Sequence, residues 1–194
     1  MTTLAFALAA TIKHDGRGGV ADLLATPAEA AAWLADHQDE VTEVLGRPLA
    51  VGGEVREELV QVRRAVRALF ARTVAPEPPS KADAHRLMDV DAALRMINRA
   101  AGRLGTQKLV WQEGGEPVVE WSGGAAEPVA VLVGAVGRST IEFLTGPDRA
   151  RLRACPAARC VKYFLQDDPR QTWCSASCGN RERVNRHYRK RHAG

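Results

Sequence analysis

Apolar residues recur at steps of three and four along much of the first 145 positions, as they do in helices with one buried face. The clearest example lies within residues 54–72, where the apolar positions are Val55, Leu59, Val62, Val66 and Leu69. This spacing predicts an amphipathic helix. Three basic residues fall between the apolar ones, and we expect them to form its solvated face: Arg63, Arg64 and Arg67.

A second helix is predicted after a proline-rich break at residues 73–80, with Ser80 as its N-cap and Asp83 at the N3 position. Its apolar positions are Leu87, Val90, Leu94, Ile97, Ala101 and Leu104. His85 and Asp89 lie one turn apart on this helix and could form half of a metal site. Because zinc sites use three or four ligands, we expect this pair to make an ordinary surface contact.

Residues 26–45 begin with the signature of a helix start. Thr26 is a candidate N-cap, Pro27 follows at N1, and Glu29 at N3 completes a capping box. Apolar positions then mark one face, although the pattern weakens after His37: Leu34, Val41 and Leu45.

Two segments are predicted to be buried. Residues 128–145 are mostly apolar, and Gly146 with Pro147 ends the helix that they predict, which has one face formed by Leu132, Val136 and Phe143. The opening residues 1–16 contain a short apolar run without preceding positive charge. We therefore expect a first buried element there and not a signal peptide.

Residues 107–124 have a different pattern. Two runs rich in β-favouring residues flank the sequence EGGE, which predicts an antiparallel hairpin with a Gly-Gly turn. The predicted fold class is α+β, with a mainly helical N-terminal domain that carries a small hairpin. No stretch approaches the ~18 consecutive apolar residues of a membrane span, so we expect a cytoplasmic protein without a membrane partner.

The net charge of +4 is unevenly distributed. Residues 149–194 contain twelve Lys/Arg and three Asp/Glu, whereas residues 1–148 contain fifteen and twenty. This asymmetry predicts two modules, residues 1–148 and 149–194. The basic module is a candidate for binding a polyanion, and nucleic acid suits it best.

All four cysteines fall in the basic module, in the pattern Cys155-x4-Cys160-x13-Cys174-x3-Cys178. Two close pairs joined by a short loop suit tetrahedral zinc, and four thiolates leave no open position, so the site would be structural. Disulfides and an iron–sulfur cluster are the alternatives. His187 and His192 could replace a cysteine, but with four thiols available we expect them to be spectators or phosphate contacts. Loss of the metal should unfold this module and leave the first domain folded.

The sequence CGNR at residues 178–181, with CPAARC at 155–160, resembles the CGNR zinc-finger family. In that family the finger follows an N-terminal domain called ABATE, and the proteins are described as stress-induced transcription regulators. The segments at residues 22–34 and 143–155 resemble that domain. The resemblance implies a small treble-clef-like zinc module ending in a basic helix.

The chain departs from the family pattern in two places. Ala7 and Ala10 stand where relatives commonly have Asp and Asn, so this chain lacks the polar side chains of its relatives at those two positions. The second cysteine pair has three intervening residues where many relatives have four, which still permits chelation.

Gly179 and Asn180 predict a sharp turn into the basic helix, with Val184 and Tyr188 facing the zinc core. Arginine and asparagine suit base edges, and the remaining basic residues suit phosphates. The candidate nucleic-acid contacts are Arg181, Arg183, Asn185, Arg186, Arg189, Lys190 and Arg191. Arg181 has an alternative structural role, in which it binds backbone carbonyls or stacks on Trp173.

The resulting expectation is a zinc-dependent regulator that binds double-stranded DNA, whose first domain is a sensor, dimerisation or partner-binding module. A small-molecule effector and a homodimer are open possibilities. The alternative is an RNA- or protein-binding module in which the finger is a stabilising appendage. The first domain shows none of the common catalytic motifs, so we expect no enzymatic activity.

Overall fold

The computed structural model describes residues 3–15, 19–75, 82, 84–111 and 113–192. Seven α-helices lie in this part of the chain: α1 (Leu4–Ala9), α2 (Pro27–Asp36), α3 (Gln38–Leu45), α4 (Arg56–Thr73), α5 (Val90–Gly102), α6 (Pro128–Thr145) and α7 (Ala176–His192). Six short strands accompany them: β1 (Ile12–His14), β2 (Val20–Asp22), β3 (Thr106–Val110), β4 (Val118–Ser122), β5 (Leu152–Ala154) and β6 (Tyr163–Leu165).

The strands form three separate antiparallel hairpins, β1–β2, β3–β4 and β5–β6. The predicted hairpin is confirmed as β3–β4, in which Leu109 pairs with Val119. The other two hairpins have strands of three residues, too short to give a pattern in the sequence. The mainly helical α+β fold class is confirmed.

The start of α2 confirms the capping box. Thr26 Oγ1 accepts a hydrogen bond from the Glu29 backbone N–H at 3.2 Å, and Glu29 Oε2 accepts one from the Thr26 N–H at 2.8 Å. The predicted apolar face continues through Leu34, Val41 and Leu45, which are all buried. At His37, however, the backbone leaves the helical conformation, with φ −122° and ψ 25°. Residues 27–45 therefore form two helices.

A core of four helices, α1, α4, α5 and α6, organises the first domain. The prediction of a buried helix at residues 128–145 is confirmed, because Leu132, Val136 and Phe143 are at most 3% exposed. Glycine lets α6 approach α5 closely. A Cβ atom on Gly137 would lie 2.5 Å from the backbone nitrogen of Ala101.

α6 is also long and apolar enough to span a bilayer by length and composition, contrary to the sequence-based count of apolar stretches. More than half of these 18 residues are buried inside the fold, as in the core helix of a globular domain.

The helix predicted to start at Ser80 begins later in the described structure. Ser80 and Asp83 themselves lie outside the described residues. α5 begins at Val90, and Asp89 is its N-cap, with the carboxylate accepting from the Ala92 N–H at 3.0 Å. His85 lies in a separate 3-10 turn, so His85 and Asp89 do not share a helix.

The prediction that the α4 arginines form a solvated face was wrong. Arg63 and Arg67 are 3% and 2% exposed, and Arg64 is half-buried, with its Nε donating to the Arg86 carbonyl oxygen at 3.3 Å. α4 contacts α1, α2, α5 and α6, so elements surround it on several sides. A helix in that position buries polar residues as well as apolar ones, provided that their donors are paired.

Candidate zinc centre and basic helix

The four cysteines converge at the junction between a hairpin and a helix. Cys155 and Cys160 lie in the loop that connects β5 to β6. Cys174 lies two residues before the start of α7, and Cys178 lies in the first turn of that helix. The Sγ atoms of all four lie within 4.8 Å of one another, although Cys160 and Cys174 are 14 positions apart in the chain.

The spacing of the sulfurs fits one tetrahedral metal ion. The Sγ–Sγ distances are 3.6 Å for Cys174–Cys178 and 3.8 Å for both Cys160–Cys174 and Cys160–Cys178. Zn–S bonds of about 2.3 Å in a tetrahedron place two sulfurs about 3.8 Å apart. A disulfide requires about 2.05 Å, and all four cysteines are free. Four sulfur ligands would complete the coordination sphere, as in a structural site.

A small apolar cluster encloses the sulfurs. Cys155, Cys160 and Cys178 are at most 6% exposed and pack with Phe164, while Trp173 covers one side. A Cβ atom on Gly179 would lie 3.0 Å from Cδ1 of Trp173. Glycine at this position therefore lets the indole ring lie against the first turn of α7.

Without metal, the thiols share protons through their mutual hydrogen bonds. The Cys160 and Cys174 thiols lower the pKa of Cys155 to about 2. The hydrogen bond with Cys155 raises the pKa of Cys160 to about 11, and the bonds with Cys155 and Cys160 also raise the pKa of Cys174. Zinc binds thiolates, so zinc binding releases the protons that these thiols carry.

The loop between β5 and β6 is held by the backbone and by a side chain of α7. The Cys155 N–H donates to the Lys162 carbonyl oxygen at 3.0 Å, and Glu182 Oε1 accepts from the Ala158 N–H at 2.9 Å. Arg159 has φ +62°, in the left-handed region that favours glycine. Glu182 is the only acidic residue of α7, and its carboxylate is directed toward this loop.

α7 differs from the predicted basic helix at its start. It begins at Ala176, so Gly179 and Asn180 lie inside the helix and do not form a turn before it. The Ser175 side chain accepts from the Cys178 N–H at 3.4 Å. Ser175 thus caps the helix. Serine is a favoured N-cap residue, so the sequence could have predicted this start, but Gly179 and Asn180 suggested a later one.

The prediction that Val184 and Tyr188 face the zinc core was wrong. They are 68% and 62% exposed and so lie on a solvent-facing side of α7. The residues that face the cysteine cluster and its loop are Cys178, Arg181 and Glu182, which are spaced at three and four.

The candidate nucleic-acid contacts separate into distinct environments. Arg183, Arg186 and Arg191 are exposed, and Arg183 Nη1 also donates to Asn180 Oδ1 at 2.8 Å. Asn185 is half-buried and donates to Glu182 Oε1 at 3.2 Å. Arg189 and Lys190 lie on the backbone of α7, but their side chains lie outside what the structure describes, as does that of His192. His187 is exposed and away from the cysteines.

Arg181 is half-buried and directed inward, in contrast to the exposed arginines. Its Nη1 lies 2.9 Å from Nε2 of His14 on β1, and its Nη2 donates to Cys178 Sγ at 3.6 Å. The structural role that the sequence left open is thus present, but its partners are an imidazole and a thiol, not carbonyls or the Trp173 ring.

Sequence reasoning missed the contact between the two modules. Arg67 on α4 donates to the carbonyl oxygens of Ala9 at 2.6 Å and of Val161 at 2.7 Å, and its guanidinium lies 5.0 Å from the centre of the Tyr163 ring. Leu152, Ala154 and Tyr163 belong to the same apolar core as the first domain. The hairpin that carries two of the cysteines is therefore packed on α4.

Two protein-family models match successive parts of the chain. The ABATE family model, described as "Putative stress-induced transcription regulator", matches residues 2–147. The chain belongs to the ABATE family. The CGNR zinc-finger model matches residues 151–191, which include the whole cysteine cluster. No curated protein compared with the chain is significantly similar to it.

The finger of this ABATE protein is a structural zinc module. Its four free sulfurs have the number and spacing that zinc requires, and the CGNR match covers all of them. Both families are described by regulation or by metal binding, and neither by an enzymatic reaction.

Proposed function

We propose that this ABATE protein is a cytoplasmic transcription regulator that binds double-stranded DNA through α7. In this proposal residues 149–194 are the DNA-binding module, and Cys155, Cys160, Cys174 and Cys178 are its zinc ligands. Residues 1–148 form the sensor, dimerisation or partner-binding domain. The protein carries out no catalysis in this role.

The observation that carries the proposal is the distribution of charge around α7. The helix has six basic residues and one acidic residue, and the acidic Glu182 is bound to the Ala158 N–H. Arg183, Arg186 and Arg191 are exposed, as is most of the described helix beyond Glu182. An exposed basic helix fits the major groove, where arginine can bind guanine edges or phosphates.

The zinc ion would supply the folding free energy that a small module lacks. The chain's own residues then determine the geometry. Cys178 fixes the first turn of α7, and Glu182 holds the helix against the loop between β5 and β6. Because these contacts lie at the base of α7, the exposed arginines are presented from a fixed support.

Arg181 is not part of the proposed interface. Its guanidinium is already bound to His14 and Cys178, so a phosphate or base would have to displace both contacts. The proposed contacts are Arg183, Arg186 and Arg191, with Arg189, Lys190 and Asn185 added from the sequence pattern.

A small-molecule effector would find room beside α2. A mostly apolar groove of about 470 Å³, open to solvent, lies between the chain that connects α3 to α4 and the adjacent face of α2. Its lining residues include Leu34, Gln38, Leu49 and Val51. This volume is within the ~300–1,000 Å³ of ordinary ligand pockets.

Duplex binding at increasing salt tests the proposal. Each phosphate contact that is lost reduces the slope of log K against log salt by about 0.9. Arg183→Ala combined with Arg186→Ala should weaken binding and flatten this slope by about 1 to 2. Arg95→Ala with Arg99→Ala removes the same charge from exposed positions of α5 and is the matched control. The absence of duplex binding at low salt, or equal effects of both pairs, would contradict the proposal.

The alternative function is binding of RNA. Tyr188 is 62% exposed within the basic helix, and exposed aromatic rings stack on unpaired bases. Competition between single-stranded RNA and duplex DNA distinguishes the two. Preference for RNA, with a loss of about tenfold or more in Tyr188→Ala, would support the alternative.

A further inference from the structure

Arg181 connects the cysteine cluster to the ABATE domain. One guanidinium nitrogen donates to Cys178 Sγ at 3.6 Å, and another lies 2.9 Å from His14 Nε2, 167 residues away in the sequence. The third nitrogen, Nε, is buried, and no hydrogen-bond partner for it occurs in the described part of the chain. The Arg181 side chain is half-buried and held by two partners, so it makes a specific structural contact and is not a solvated surface charge.

The chemistry of a four-thiolate zinc site explains why a cation belongs there. Zn²⁺ with four thiolates carries a net charge of −2, and Cys178 is 6% exposed, so little water reaches its sulfur. A hydrogen bond from a positively charged N–H to a buried thiolate is stronger than one between neutral groups. Groups that bind metal ligands in this way orient them and raise metal affinity.

His14, the second partner of Arg181, belongs to the β1–β2 hairpin, which is itself bound to α4. His14 pairs with Val20 in β1–β2, and Asp22 on β2 is held by Arg63 of α4 through bonds of 2.6 and 2.7 Å. The geometry of Arg181 requires the His14 Nε2 atom to accept the hydrogen bond. Cys178, Arg181, His14 and the β1–β2 hairpin thus form one continuous chain of contacts.

We propose that Arg181 is a positioning residue of the zinc centre, which raises zinc affinity through Cys178 and couples zinc occupancy to the order of the β1–β2 hairpin through His14. Arginine is required because its planar fork reaches both acceptors at once, whereas lysine offers a single nitrogen. This role does not depend on nucleic-acid binding, so the experiments that test it do not test the proposed function.

Zinc affinity, measured by competition with a chromophoric chelator on the full chain, tests the first half. Arg181→Ala should weaken zinc binding by roughly 10- to 100-fold, the usual effect of removing such a group. Arg181→Lys, which keeps the charge and is the safer variant for folding, should lose several-fold. Arg170→Ala removes an exposed positive charge from the same module and should change nothing. Zinc affinities of both Arg181 variants within twofold of wild type would overturn the proposal.

Hydrogen exchange with and without chelator tests the coupling to the ABATE domain. In the wild type, zinc removal should speed amide exchange of residues 12–14 and 20–22. In Arg181→Ala and His14→Ala this response should shrink, because the route through His14 is lost, whereas His14→Gln, whose carbonyl oxygen still accepts, should retain it. Zinc affinities of the His14→Ala, Arg181→Ala and double variants should be non-additive. Additive losses, or an unchanged exchange response in Arg181→Ala, would refute the coupling.

Discussion

The guanidinium of Arg67 and the carbonyl oxygen of Val161 lie 2.7 Å apart and join the central helix of the ABATE domain to the loop of the zinc finger. Arg67 is 2% exposed, and a second nitrogen of its guanidinium donates to the Ala9 carbonyl oxygen. The two modules that the charge distribution separates are therefore connected through a fully buried polar contact.

Replacement of Arg67 should destabilise both modules together. In Arg67→Lys one ammonium on a shorter stem replaces the two guanidinium nitrogens that hold these carbonyl oxygens, and a buried acceptor left without a donor costs about 1–3 kcal/mol. Urea unfolding followed by circular dichroism, which the helices of the first domain dominate, and by protease cleavage within residues 150–191 should show the same lower midpoint with both probes. Arg72→Lys, at an exposed position of α4, is the control. A lower midpoint for only one probe would show that the contact does not join the modules.

Removal of zinc should affect more than the finger. Leu152, Ala154 and Tyr163 share the core of the ABATE domain, so unfolding of the finger withdraws apolar surface from that core. We therefore expect chelation to lower the melting temperature of the whole chain as well as to expose residues 150–191 to protease. An unchanged melting transition of the first domain after complete metal removal would support the independent modules that the sequence suggests.

The ion pair of Asp22 with Arg63 predicts a dependence of stability on pH. Burial acts to raise the pKa of Asp22, but the hydrogen bonds from Arg63 and from the Leu24 N–H outweigh it and lower the pKa below its usual value. A carboxyl with a lowered folded-state pKa stabilises the protein above its unfolded pKa of about 3.9, and this contribution is lost as the pH falls through the folded value.

Urea midpoints between pH 6 and pH 3 measure this contribution. The difference in midpoint between the wild type and Asp22→Asn should be largest at pH 6 and should shrink toward pH 3. Because the wild type and Asp22→Asn have the same four cysteines, loss of zinc in acid affects both midpoints alike and cancels in their difference. Asp36→Asn, at an exposed position of α2, should show no such trend. A constant difference for Asp22→Asn would rule out a stabilising ionised carboxylate.

The contact of α5 with α6 predicts opposite effects for two glycine substitutions. The Cβ atom of Gly137→Ala would lie 2.5 Å from the Ala101 nitrogen, so the helices must separate, at a cost of about 1–3 kcal/mol. Gly102, at the end of α5, has no atom within 4 Å of such a Cβ. Gly102→Ala should be neutral or should stabilise by about 0.5–1 kcal/mol. The melting temperatures of both variants, measured by thermal unfolding, check this contrast. Equal changes in melting temperature for Gly137→Ala and Gly102→Ala would contradict it.

Much of the local structure was predictable from the sequence because it depends on nearby residues. The capping box of Thr26 and Glu29 joins residues three positions apart, and the turn that forms β3–β4 lies between its own strands. The metal cluster was predictable for another reason. Four cysteines in two close pairs have few uses in a reduced protein, so the residue types identified the chemistry before any geometry was available.

The predictions failed where an answer depended on distant partners. The three-and-four pattern of α4 could not show that Arg63 and Arg67 are buried, because their acceptors lie 41 to 94 residues away. The same reason explains Val184 and Tyr188. Their spacing of four shows that they share one face of α7, but it does not show whether another part of the protein covers that face.

The sequence by itself determined the α+β class, most of the helices, and four thiols at chelating spacing, because these follow from local propensity and residue type. Only the tertiary structure decided that Arg181 faces inward to Cys178 and His14 while Arg183 and Arg186 face outward. The physical reason is that a charged side chain takes its role from the acceptors within its reach, and for Arg181 one of those acceptors, His14, comes from the other end of the chain.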